Sequence, residues 1–142
     1  MSGLSIDQAI QHAFAHHQAG RLAEAEVIYR QILATEPENA VAMHYAGLIA
    51  ALTDRPELGV EMIRKSIALR PDNGSFHCNF AYALAALGRS EESIVEYRTA
   101  VRCRPEHAAI HSNLLLALHY ASKLDADAIL DRKSTRLNSS HT

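Results

Sequence analysis

Apolar residues recur along this chain at spacings of three and four, the period of one face of an α-helix, in short and punctuated runs. The first run, Ile6, Ile10, Ala13 and Phe14 with His17 in register, follows Ser5-Ile6-Asp7-Gln8 and stops at Ala19-Gly20. Its start has the form of a capping box, in which a serine oxygen accepts from a first-turn amide and a glutamine reaches back to the cap amide. Glycine at its end permits a left-handed exit. Leu22 to Leu33 forms a second amphipathic run, closed at Glu36-Pro37 because the residue before a proline is pushed out of the helical region. The connection is short, so the two helices are predicted to be antiparallel neighbours.

The pattern repeats. Helices are predicted from Ala40 to Leu52 behind the cap Asn39, and from Pro56 to Leu69, with Pro56 in the first turn where its missing amide costs nothing. A further pair starts behind Asp72 or Asn73, runs to Leu87, turns at Gly88-Arg89, caps again at Ser90 and ends at Arg104-Pro105. His107 to Tyr120 reads as one more first helix, and Asp125 as the cap of a second helix that is only begun over Ala126 to Leu130.

The breaks at Pro37, Pro71 and Pro105 lie 34 residues apart, and the stretch Gly74 to His107 is the unit over which the rest can be laid. Gly20, Asp54 and Gly88 fall in the turn between paired helices. Ala25, Gly59 and Ser93 follow, small because the second helix must approach the first closely there, and Ala13, Gly47 and Ala81 play the same part on the first helix. Tyr29, Ile63 and Tyr97 are large plugs. No single unit buries such a face alone, so stacking on neighbours is what folds the array.

With 142 residues, 48% of them hydrophobic, and no tryptophan, the chain fits one elongated all-α domain. A formal charge of −2 provides no basic field for nucleic acid or an anionic membrane. Cys78 and Cys103 sit inside helical runs without metal-ligand spacing and read as free thiols. The start lacks a signal-peptide pattern, and no window approaches the ~20 apolar residues of a membrane span. A cytoplasmic protein is expected.

On these residues the chain resembles the tetratricopeptide repeat (TPR) proteins from residue 6 to about 121. The resemblance implies a right-handed solenoid of antiparallel helix pairs, with full repeats at about 6–39, 40–73 and 74–107 and a truncated fourth at 108–130. A narrower resemblance lies in AAIHSNLLLALHY, Ala108 to Tyr120, followed by Leu124-Asp125-Ala126. It is similar to the last repeat of bacterial proteins of the O-GlcNAc transferase and SPINDLY kind, before their glycosyltransferase half. In that family asparagines on the first helices hold the backbone of an extended client peptide. The equivalent positions here are Gln11, Tyr45, Asn79 and Asn113, of which only the last two match.

The resemblance thus implies an extended peptide or protein client, held by Asn79 and Asn113, with Tyr82 and Tyr120 giving stacking or apolar contact. The catalytic half with its UDP-sugar site is not in this sequence, so no activity carries over. A non-catalytic, peptide-binding segment of a truncated glycosyltransferase is expected; the alternatives are a TPR segment of a sulfotransferase or methyltransferase, or a free-standing adaptor.

Competing chemistry is weakly marked. His12 and His16 have the i, i+4 spacing of metal ligands but no third ligand, and both fall at packing positions of the repeat; His77 and His111 share one register position. Glu91 with Glu92, and Asp125 with Asp127, sit at helix starts where carboxylates favour the macrodipole. No nucleophile elbow or phosphate loop occurs, so no catalytic, metal or cofactor site is expected. Asp131 to His141, DRKSTRLNSSH, breaks the pattern and equals residue for residue the translation of a short-read sequencing adapter, so 131–142 is expected to be a non-native or disordered tail. The incomplete fourth repeat, with Leu114, Leu115, Leu116 and Leu118, predicts self-association through an uncapped C-terminal end.

Overall fold

The computed structural model describes residues 3–140, and these form helices only. The helices are α1 (Ile6–Gln18), α2 (Leu22–Thr35), α3 (Ala40–Ala51), α4 (Pro56–Leu69), α5 (Gly74–Ala86), α6 (Ser90–Cys103) and α7 (Ala108–Ser140). None is long and apolar enough to cross a membrane.

The starts follow the side chains that can serve orphan amides. Ser5 Oγ accepts from the Gln8 amide at 3.2 Å while the Ser5 amide donates to Gln8 Oε1 at 2.9 Å, completing the capping box. Asn39 accepts from the Ala42 amide at 2.9 Å and Asn73, rather than Asp72, from the Phe76 amide at 3.1 Å. Ser90 is not a cap. It is the first helical residue, and the flanking position is Arg89, matched one and two repeats earlier by Arg55 and Arg21. Gly20 and Gly88 adopt φ of 81° and 79°, the left-handed exit that glycine permits. The middle repeat turns without positive φ, closed instead by Thr53 Oγ1 donating to the Ile49 carbonyl at 2.7 Å.

Paired helices α1/α2, α3/α4 and α5/α6 stack in chain order, each second helix also touching the next first helix. Both core clusters span repeats: Ala13, Ala25 and Tyr29 pack with Ala42, Ala46 and Ile49, and Val60 and Ile63 with Phe80 and Leu84. This sharing is the structural form of the rule that a repeat cannot bury its face alone. At the close approach of α3 and α4, a Cβ on Gly59 would overlap the backbone of Ala51 and Gly47. One repeat later the equivalent Ser93 donates its hydroxyl to the Ala81 carbonyl at 2.7 Å.

The fourth repeat departs from expectation. Instead of turning before Asp125, α7 continues unbroken to Ser140, so no second helix folds back. Residues 131–140, expected to be irregular, are helical; 141 and 142 lie outside the described residues. The turn glycine of the first and third repeats is replaced here by Ser122, no glycine or proline interrupts Ala108–Ser140, and among the described residues no further helix offers a face to return to. Local i to i−4 bonding then simply propagates. Thr135 and Ser139 hydroxyls join it by donating to the Asp131 and Thr135 carbonyls, each at 2.9 Å.

Candidate functional site

The first helices of successive repeats, α1, α3, α5 and the start of α7, form a continuous layer through side chains that cross between repeats. Phe14 meets Tyr45 with ring centroids 5.5 Å apart, and His44 stacks on Phe76 at 4.1 Å and 10°. Asn79 Nδ2 lies 3.2 Å from His44 Nε2, and Asn113 Nδ2 lies 3.7 Å from Cys78 Sγ. Each asparagine thus reaches back 35 positions, to the residue just before its own register position in the preceding repeat.

The residues singled out from sequence separate into three groups. Tyr82 and Tyr120 stand 59% and 57% exposed, and Gln11 is exposed on α1. Asn79 and Asn113 are half-buried, each with one amide bond committed to the layer. Tyr45 is enclosed by rings: besides Phe14 it contacts His17, stacks on Tyr29 at 5.8 Å and 19°, and meets His44 edge-on at 5.0 Å.

His44 is the residue that periodicity passed over. It is fully buried, and burial, reinforced by His17 nearby, pushes its pKa down to about 3, so the imidazole is neutral. The Asn79 amide donates to an unprotonated Nε2, which places the ring proton on Nδ1, and Nδ1 has no partner. Burial also lowers His17 and raises Tyr29 and Tyr45. The signal in the sequence was a histidine inside an otherwise apolar run with an asparagine 35 residues later.

The other histidines sort by register. His77 Nε2 donates to the Pro71 carbonyl at 2.8 Å, its Nδ1 lies 2.7 Å from Glu96 Oε2, and the Glu96 carboxylate holds its pKa above the usual value. His111 makes the equivalent bond to the Pro105 carbonyl at 2.7 Å. His16 Nδ1 accepts from Arg21 Nε at 2.8 Å. His12 sits at a packing register but is exposed, because no described helix precedes α1 to cover it. Among the described residues no three His, Cys, Asp or Glu side chains converge as metal ligands.

Charge is partitioned between helix layers. No lysine or arginine occurs in α1, α3, α5 or Ala108 to Tyr120, and Asp7 is their one acid. Arginines on or just before the second helices pair with carboxylates, Arg55 Nη2 donating to Glu26 Oε1 at 2.6 Å and Arg64 Nη2 to Glu92 Oε2 at 2.8 Å across repeats, with Arg89 also on Glu92, while Arg104 Nη1 lies 3.5 Å from Ser75 Oγ at the start of α5.

The Tetratricopeptide repeat family profile matches residues 74–107. No curated protein matches the chain. Among solved structures, a mutant O-GlcNAc transferase of Thermobaculum terrenum is similar with 30% identity and a TM-score of 0.76, covering 81% of this chain and 22% of that one. PilF of Pseudomonas aeruginosa is similar with 26% identity and a TM-score of 0.75, covering 83% of this chain and 54% of that one. The first TPR of Spaghetti, bound to an HSP90 peptide, shares the fold at 14% identity and a TM-score of 0.72, covering 86% and 99%. The chain spans about a fifth of the transferase structure and about half of PilF.

Proposed function

The chain is an array of tetratricopeptide repeats, and on that premise we propose that it is a non-catalytic module that binds an extended stretch of a partner protein. The observation that carries this reading is Tyr82: although flanked by repeats on both sides, it stays 59% exposed on the first-helix layer beside the amide of Asn79. A large amphipathic ring and an amide that can still bond outward suit a polypeptide backbone. In this reading Asn79 and Asn113 hold backbone, Tyr82 and Tyr120 stack on side chains, and Tyr45 and Gln11 extend the face toward the first repeat.

The finer reading is that the module selects clients for a glycosyltransferase of the O-GlcNAc transferase kind and works in the cytoplasm. The motif at Ala108 to Tyr120 and the 30% identity to the Thermobaculum structure support it. The similarity to PilF supports the rival, a TPR segment serving another assembly, whether adaptor or a different enzyme. The functional array ends near Leu130, with the adapter-like residues 131–142 left out. Sequencing the source gene past codon 130 separates these: a glycosyltransferase frame supports the first, a stop or another domain the second.

Binding itself is tested by isolating a peptide ligand and measuring its affinity for an Asn79→Ala, Asn113→Ala double variant. Two lost hydrogen bonds of ~1 kcal/mol each correspond to a weakening on the order of tenfold or more. Unchanged affinity overturns the assignment of these asparagines.

A further inference from the structure

We infer that the open side of α7 is the interface of a symmetric dimer. The α7 helices of two copies lie antiparallel about a two-fold axis at Ser122, each covering the other where a second helix covers the first in the preceding repeats.

Register identifies the side. Leu115 stands where the earlier first helices carry Ala81, Gly47 and Ala13, all buried. The second helix lies directly on those positions: Ser93 of α6 donates to the Ala81 carbonyl, and a Cβ on Gly59 of α4 would meet the Gly47 carbonyl. On α7 no second helix returns among the described residues. Leu115 is 67% exposed, and every residue from 122 to 139 is exposed. Helices in water draw most of their stability from packing an apolar face, so α7 gains more from a partner than any other element.

Five residues turn an α-helix by about 140°. Ile110, 3% exposed, therefore points into the array, Leu115 toward the position of a second helix, and Tyr120 to the first-helix layer. Leu115, Ser122 and Ile129 are seven residues apart, the spacing of a helix–helix seam, and Ala126 shares their side. The seam is large at both ends and small between. An antiparallel pair crossing at Ser122 sets Leu115 of one copy against Ile129 of the other. Ser122 and Ala126 let the axes approach, as Gly47 and Gly59 do between α3 and α4.

The other end of the array offers no matching seat. Gln8, Gln11 and His12 occupy on α1 the positions at which α3 packs Ala42, Tyr45 and Ala46 against the first repeat. Stacking head to tail would bury those amides and that imidazole against leucines. The α7 seam is instead complementary to itself, which makes the contact isologous and closes it at two copies. This contact is independent of the peptide-binding reading, because Asn113 and Tyr120 lie off this side of α7.

Sedimentation velocity on the full chain tests it, with the dimer expected as the largest species. Leu115→Glu should weaken the dimer on the order of tenfold or more, since the carboxylate is buried without a partner. Leu116→Glu should leave it within about twofold: Leu116 is also 67% exposed but sits about 100° round the helix. Ser122→Cys should give a covalent dimer on mild oxidation, because a disulfide needs Cα atoms within about 7 Å and identical residues meet so closely only near the axis. Leu116→Cys should stay at the baseline of the unmodified chain, whose Cys78 and Cys103 are half-buried. Equal losses in the two glutamate variants would reduce the association to general stickiness and overturn the inference. So would a monomer at every concentration, growth beyond the dimer, or cross-linking of Ser122→Cys no better than that of Leu116→Cys.

Discussion

Acidification should destabilise this array, with His44 a main cause. The ring is fully buried, stacked on Phe76 at 4.1 Å, edge-on to Tyr45, and bonded through Nε2 to Asn79, leaving no site for a second ring proton's charge to be solvated. Its pKa in the folded chain is about 3, first through burial and then through His17, against 6.5 unperturbed. The unfolded chain therefore takes up a proton below pH 6.5 that the folded chain refuses until about pH 3. The stabilising effect is complete above 6.5 and is lost as pH falls. Each pH unit costs at most ~1.4 kcal/mol, so the step from 6.5 to 4.5 removes about 2–3 kcal/mol from a total on the order of 5–15 kcal/mol. His17, lowered by burial, adds in the same direction.

His77 opposes it, because its pKa is raised, chiefly by the bond to Glu96. That contribution is present below 6.5 and disappears as pH rises through the folded value. The His44 shift is the larger, and the net slope is towards instability in acid. Urea denaturation followed by far-UV circular dichroism between pH 7.5 and 4.5 measures it, alongside His44→Phe, which keeps a ring against Phe76 and removes the titrating group. The variant should lose much less stability over that range. Equal slopes, or a His44 resonance titrating near 6.5 in the folded protein, would refute the argument.

Two further outcomes follow from packing. Gly59→Ala should destabilise by about 2–3 kcal/mol, because the new Cβ meets the backbone of Ala51 and Gly47, although the same change in an open helix stabilises by ~1 kcal/mol; thermal melts give the sign. The exposed Leu115, Leu116, Ile129 and Leu130 of α7 should make the chain associate with rising concentration in sedimentation velocity, and a monomer throughout the micromolar range would contradict this.

Most of the fold was legible because its boundaries are written in residues with few alternatives. Proline at 37, 71 and 105, glycine at 20 and 88, and asparagine at 39 and 73 each restrict the backbone locally, so the period survives without tertiary information. What was not legible depends on neighbours. Asp125 is a sound cap, yet a cap does not bend a chain: the turn in the other repeats is held by the returning helix as much as by its own residues, and among the described residues α7 has no returning helix. His12 has a packing register but is exposed, and among the described residues no helix precedes α1 to cover it.

The placement of the candidate residues on the first-helix layer was legible, and their hydrogen-bond partners were not. Register alone located Asn79 and Asn113, but what an asparagine offers a ligand depends on the residue 35 places earlier, which no periodicity of its own helix reveals. His44 is a strong acceptor and ties the Asn79 amide firmly; Cys78 is a weak one and ties Asn113 loosely. Tyr45 occupies the same position one repeat earlier, where the preceding residue is Ile10 and no acceptor exists. An asparagine there would lack the bond that orients it. The aromatic ring instead closes the space among Phe14, His17, Tyr29 and His44, so one register position packs against rings in the second repeat and holds a half-buried asparagine in the third and fourth.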